Sequence, residues 1–154
     1  MAYGITVRRR VEFSETDMVQ IVHFSNYFRY IEYAETAFFR SLGISIINCG
    51  VGWPRVHAEF DYKRPLRFED EIEIALLVQE RRSRSLAYLV SIRKVEGDSV
   101  VEVARGRLVV AAVRADPVPG ELTAVAIPDA IATRIESAPD SALEEWVRTP
   151  PRAC

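Results

Sequence analysis

Residues 11–44 read VEFSETDMVQIVHFSNYFRYIEYAETAFFRSLGI, and a change of rhythm inside this stretch decides the architecture. From Ser25 to Leu42, the residues Tyr27, Tyr30, Ile31, Ala34, Phe38 and Leu42 recur every three or four positions. Phe28 and Phe39 widen that stripe, while Arg29, Glu32, Thr36 and Arg40 leave only a narrow polar line. Ser25 or Asn26 stands where a helix needs its N-cap, and Gly43 where it must stop. At ~1.5 Å per residue the helix is about 27 Å long. An apolar stripe so wide predicts a helix covered on most sides.

On the N-terminal side, residues 5–13 alternate: Val7, Val11 and Phe13 share a face with Arg9, and Arg8, Arg10 and Glu12 point away. This is the pattern of a half-buried strand. Beyond a loop around NCGVGWP (48–54) the chain is strand-like again. Residues 55–63 alternate up to Pro65, which suggests a bulge or an edge. Residues 71–79 put Ile72, Ile74, Leu76 and Val78 on one face, and 85–95 and 99–113 are two further runs split by the turn EGDS. Residues 128–137 carry Pro at a short helix start. One long helix followed by meandering strands predicts an α+β fold, with a curved antiparallel sheet of about five strands wrapped on the helix. A single helix cannot cover such a sheet alone, so a homodimer that extends the sheet is expected.

The 154 residues suit one domain, and 49% hydrophobic with 27% charged residues is the composition of an ordinary globule. A formal charge of −2 argues against a general nucleic-acid or membrane-surface binder. The expected domain covers 1–138. The remaining 139–154, rich in Pro, Ala and charge, reads as a loosely ordered C-terminal tail with one helical turn around Trp146. Cys49 and Cys154 make no disulfide framework. No apolar run is long enough to cross a bilayer, so no membrane insertion is expected, and the cytoplasm is the default location.

Asp17 is the first residue with chemistry to offer. A loop Asp commonly satisfies nearby amides, but this one precedes a helix N-terminus, where unpaired N–H groups and the positive dipole end collect. Such N–H groups can hold the charge that grows on a carbonyl oxygen, while a carboxylate attacks the carbon or activates water. His23, between Val22 and Phe24, reads first as a packed ring and second as a catalyst or substrate contact. With two histidines in the chain no zinc site is expected, and neither a glycine-rich phosphate loop nor a GxSxG elbow is present. No cofactor is called for. The run ERRSRS (80–85) is either a solvated strand end or a phosphate clamp built from Arg81, Arg82 and Arg84 with Ser83 and Ser85.

These residues together resemble a family. The stretch 11–44 is similar to the opening of hotdog-fold acyl-CoA thioesterases of the 4-hydroxybenzoyl-CoA thioesterase type, a group that includes thioesterases associated with the bacterial Tol-Pal cluster. Thr16-Asp17, Ile21-Val22-His23, Asn26-Tyr27 and Glu32-Tyr33-Ala34 match its motifs in order and spacing. FDYKRPLRFEDEIEI (60–74) matches further on, with Arg64, Pro65 and Asp70 in place.

The resemblance implies an acyl-CoA substrate, a homodimer or dimer of dimers, and active sites at the subunit interface. Asp17 would be nucleophile or general base, the backbone N–H near Phe24 would polarise the carbonyl, and His23 would stand beside them. Gln20, Ser25, Asn26, Tyr27, Arg82, Arg84 and Ser85 would contact substrate, the last three at the CoA phosphates. Glu32 is the second choice of carboxylate. The chain departs from the family at Gln20, where glycine is usual, and at Glu35, where many relatives have arginine. A non-catalytic acyl-CoA-binding module and a hydratase-type relative are the rival readings; for the latter no second histidine is placed to form a dyad.

Overall fold

The computed structural model describes residues 1–115 and 120–148. The long helix, α1, runs Asn26–Ser41. Tyr30, Ile31, Ala34, Phe38 and Phe39 on it are at most 1% exposed. Each large side chain so buried contributes about 1.5–3 kcal/mol. Gly43 ends the helix at φ 71°, the left-handed conformation that glycine adopts without a Cβ clash. Ser25 precedes the first turn, but its hydroxyl does not cap the helix.

Five strands form one antiparallel sheet: β1 (Gly4–Arg10), β2 (Arg55–Tyr62), β3 (Glu71–Arg81), β4 (Ser85–Glu96) and β5 (Ser99–Ala111), in the spatial order β1-β3-β4-β5-β2. The register aligns Val7 with Ile74, Ile74 with Ile92, and Ile92 with Ala104. Ile72, Ile74, Leu76 and Val78 of β3 and Leu86, Tyr88, Val90 and Ile92 of β4 form the buried face against α1. A one-residue slip would turn all of these to the other side, so the pattern itself enforces the register. Irregularities after Val78, Ile92 and Arg55 break the ladder and bend the strands. This is the expected α+β arrangement, a long helix held in a curved five-stranded sheet.

The last three residues of the expected strand, 11–13, lie outside β1. The strand stops at Arg10, and Phe13 enters a 3-10 turn (Phe13–Glu15), 75% exposed and edge-on to Phe68. Val11 N–H already bonds to Asp70 O, and from there the chain leaves the ladder.

The two sheet edges differ. Beside β1, Ala2 exchanges hydrogen bonds with Arg134 and Glu136. On the other side β2 pairs only with β5, and its outer flank is exposed from Arg55 to Tyr62 apart from a half-buried Phe60. Gly106 on β5 lets β2 lie this close, because a Cβ there would meet the Glu59 carbonyl and sit 2.9 Å from the Phe60 ring.

A two-stranded ribbon, β6 (Val113–Ala115) with β7 (Leu122–Ala124), and the short α2 (Asp129–Ala132) follow. Of the C-terminal segment, Asp140–Arg148 forms α3, which buries none of its residues. The Arg105 guanidinium lies 5.2 Å from the centre of the Trp146 ring and donates to the Trp146 carbonyl. Residues 149–154, with Cys154, lie outside the described residues. Among the described residues no helix is long and apolar enough to cross a membrane.

Candidate active site

The segment before α1 is a tight hairpin closed by a bridge between Thr16 and Val22. Asp17 N–H donates to Ile21 O and Gln20 N–H to Asp17 O, both at 2.9 Å. The Asp17 carboxylate accepts the Val19 N–H through Oδ1 at 2.8 Å, so the loop fixes one carboxylate oxygen. The turn requires Gln20 to adopt φ 66°, a conformation that costs a residue with a Cβ about 1 kcal/mol and glycine almost nothing. That is the physical reason glycine suits this position.

A buried polar lattice fastens the hairpin to α1. Glu15 is 9% exposed, receives two hydrogen bonds from Arg9 Nη2 at 3.0 and 3.1 Å, and accepts the Glu12 N–H at 2.7 Å. Arg9 lies over the Tyr30 and Tyr33 rings. Asn26 donates its side-chain amide to Glu15 O, and His23 N–H donates to the same carbonyl. Asn26 is therefore buried as the anchor of the loop. Arg9 and Glu15 carried no signal in the sequence beyond their charge, because their partners are set by the return of the loop over α1.

Asp17, Ile21, Val22, Phe24 and Tyr27 line a cleft of about 490 Å³, whose opposite wall is Tyr62, Lys63, Arg64 and Pro65. Tyr27 and Tyr62 meet edge to face at 4.9 Å, and Tyr62 donates its hydroxyl to the Phe24 carbonyl at 3.1 Å. Burial, helped by Tyr62, pushes the Tyr27 phenol up to about 12.

At the mouth of α1 the amides are divided. Asn26 N–H bonds to His23 O, Tyr27 N–H to Phe24 O, and Ser25 N–H to the His23 ring. Among the described residues no hydrogen bond takes the Phe24 N–H. It is the amide left available to a ligand. His23 is exposed, its Nδ1 2.7 Å from Ser25 Oγ and its ring tilted on Phe24 at 4.6 Å.

The arginine-serine turn lies at the other end of the molecule. Leu86 pairs with Val110, and Val110 with Arg55, whereas the cleft stands beside Tyr62 and its partner Ala104. Seven steps along β2 separate the two ends by about 23 Å. Within one chain Asp17 and the group Arg82, Arg84 and Ser85 are not brought together. The turn itself is ordered: Ser83 O and Arg84 O accept Ile127 and Ala112 N–H, and exposed Arg82 pairs with Glu80.

At that end too, Glu35 is 2% exposed and receives both arms of Arg55 at 2.8 and 3.1 Å. Burial raises the Glu35 pKa, against the pull of Arg55. Glu32 is 64% exposed and 3.8 Å from Arg55, away from the Asp17 cleft. Among the described residues no cluster of three or more His, Cys, Asp or Glu could hold a metal.

Known proteins resemble this chain in sequence and in structure. A putative esterase of Aquifex aeolicus is 41% identical over 88 residues, spanning 54% of this chain and 69% of the relative. The 4-hydroxybenzoyl-CoA thioesterase of Pseudomonas sp. strain CBS-3 is 28% identical over 100 residues, 61% of this chain and 71% of that one. Among solved structures, an aspartate-to-asparagine variant of 4-hydroxybenzoyl CoA thioesterase complexed with 4-hydroxybenzoyl CoA matches with a TM-score of 0.76 at 24% identity, over 86% of this chain and 99% of the other. The family model of the thioesterase-like superfamily matches residues 11–135, and the chain belongs to that superfamily as a hotdog-fold thioester hydrolase.

Proposed function

We propose that the protein hydrolyses an acyl-CoA to the free acid and CoA, with Asp17 as the reacting carboxylate. The observation that carries this reading is one cleft wall holding both Asp17 and Phe24, whose N–H is otherwise unengaged. A thioester carbonyl lying between them would have its oxygen polarised by the Phe24 N–H and its carbon exposed to the carboxylate. With Oδ1 held by the Val19 N–H, Oδ2 is the oxygen that acts. As nucleophile it forms an acyl-aspartyl anhydride and releases CoA thiolate, and water then cleaves the anhydride; as general base it takes a proton from the attacking water instead. The relatives that act on CoA thioesters support the substrate class.

The acting unit in this reading is a homodimer joined through β2. The open flank of that strand is the edge left for pairing. Antiparallel pairing about a two-fold axis sets the Tyr62 end of one β2 beside the Arg55 end of the other. Arg82, Arg84 and Ser85 of one protomer would then serve the Asp17 cleft of its partner, which resolves their separation within a chain.

A second reading, a non-catalytic acyl-CoA-binding module, draws on Gln20, which stands in a glycine conformation at the hairpin that aims Asp17. Thiol release from aromatic, short and long acyl-CoAs by the wild type and Asp17→Asn separates the two. Turnover that depends on Asp17 supports the enzyme; acyl-CoA binding without thiol release supports the module.

A further inference from the structure

The cleft that holds Asp17 carries two cations on its far wall, and they differ in what they are doing. Lys63 is committed: its Nζ lies 2.7 Å from Glu102 Oε1, in a cluster where Arg105 and Ser91 also bond to that carboxylate. Arg64 sits beside it with the backbone held, since the Lys63 and Arg64 N–H groups share the Val103 carbonyl at 2.8 and 3.2 Å. Pro65 stiffens the chain immediately after. The Arg64 side chain is exposed, lines the cleft, and among the described residues takes part in no side-chain hydrogen bond or ion pair. A fixed backbone, an uncommitted guanidinium and a place in the lining of the Asp17 cleft are the marks of a group kept for an anionic ligand.

An acyl-CoA cleaved here presents the oxyanion on the carbonyl, the carboxylate product and the CoA thiolate, besides the phosphates that the CoA portion carries throughout. Among the described residues the Phe24 N–H takes no hydrogen bond, which leaves it for the first. Arg64 is exposed and lines the same cleft. Resting on the acyl-CoA reading, we propose that Arg64 is a substrate-binding residue that takes a phosphate of the CoA portion at the rim of the same protomer's cleft. This contact is distinct from the distant arginine-serine turn and does not depend on a second chain.

The test compares two thioesters of one acyl group, on CoA and on N-acetylcysteamine, which has no phosphate. The ratio of kcat/KM for the CoA thioester over the N-acetylcysteamine thioester is expected to fall about tenfold in Arg64→Gln, mainly through KM, and to recover in part in Arg64→Lys. Equal losses on both thioesters would place Arg64 at the reacting carbonyl and overturn the proposal, as would an unchanged ratio. Calorimetric binding of free CoA and of pantetheine gives an answer independent of turnover. If the wild type cleaves neither thioester, the acyl-CoA hydrolysis reading fails, and the proposal still stands or falls on whether Arg64→Gln weakens CoA selectively over pantetheine.

Discussion

Tyr62 at the end of β2 donates its hydroxyl to the Phe24 carbonyl across 3.1 Å, tying the edge strand to a cleft residue whose N–H takes no hydrogen bond among the described residues. The bond holds the peptide plane on one side of Phe24 and links the orientation of its N–H to the position of β2. Tyr62→Phe should leave the fold intact and lower kcat about fivefold, the effect of roughly 1 kcal/mol of lost positioning. Steady-state kinetics on any accepted thioester reads this out, and a change confined to KM would contradict it.

Gln20 makes the opposite kind of prediction, one of gain. Because its φ of 66° suits glycine, Gln20→Gly should keep or raise stability by up to about 1 kcal/mol. Gln20→Val, with a branched Cβ in the same conformation, should lose more than about 1 kcal/mol. Denaturant midpoints of the two variants against wild type decide it; destabilisation by glycine equal to that by valine would show that the turn does not hold this conformation in solution.

Glu35 and Arg55 form a buried pair whose members cannot be removed singly without cost. Arg55→Ala leaves a carboxylate 2% exposed with no guanidinium, and should destabilise the protein by about 3 kcal/mol at neutral pH. The loss should shrink toward acid pH. Burial already raises the Glu35 pKa, and without Arg55 it rises further, so the native state binds its proton before the unfolded chain does and stability falls as pH climbs through the native pKa. The double replacement Glu35→Leu with Arg55→Met should recover most of the loss, measured by chemical unfolding between pH 4 and 8.

Tyr27 gives a second pH signature. Its phenol titrates at about 12 in the folded chain against 10.0 for the free group. The native state therefore keeps a proton that the unfolded chain loses first. The stabilisation from this residue is complete below pH 10 and is lost as pH rises through the native value. At pH 11 the wild type should have lost about 1.4 kcal/mol relative to its value at pH 8, over and above the change seen in Tyr27→Phe. Parallel pH profiles for the two proteins would contradict it.

The helix and most of the sheet were legible because single periodicities carry them. The three-to-four spacing from Tyr27 to Leu42 is the buried stripe of α1, and the alternation from Ile72 to Val78 is the inner face of β3. Phe13 was misplaced because alternation is a local signal, and the Val11–Asp70 hydrogen bond that ends the ladder is not local. Asp17 and Arg64 stood out by their motifs, yet Tyr62 did not, and nothing in the sequence set Arg64 beside Asp17, since Tyr62 and Arg64 both reach the cleft only through the return of β2, more than forty residues on. Ser25 or Asn26 was expected as the cap; Ser25 holds that position, but its hydroxyl meets the His23 ring instead of a helix amide. Gln20 was visible as a departure from the family; only its φ explains what the departure costs.

The central claim is that the Asp17 carboxylate reacts with a thioester held in the 490 Å³ cleft. The measurement is the rate of thiol release from a panel of acyl-CoAs by wild type and by Asp17→Asn, which keeps the hydrogen-bond acceptor for Val19 and removes the charge. The account predicts turnover by the wild type on at least one acyl-CoA and a loss of about a hundredfold or more in kcat for Asp17→Asn with an unchanged unfolding midpoint. Near wild-type turnover by Asp17→Asn would contradict it.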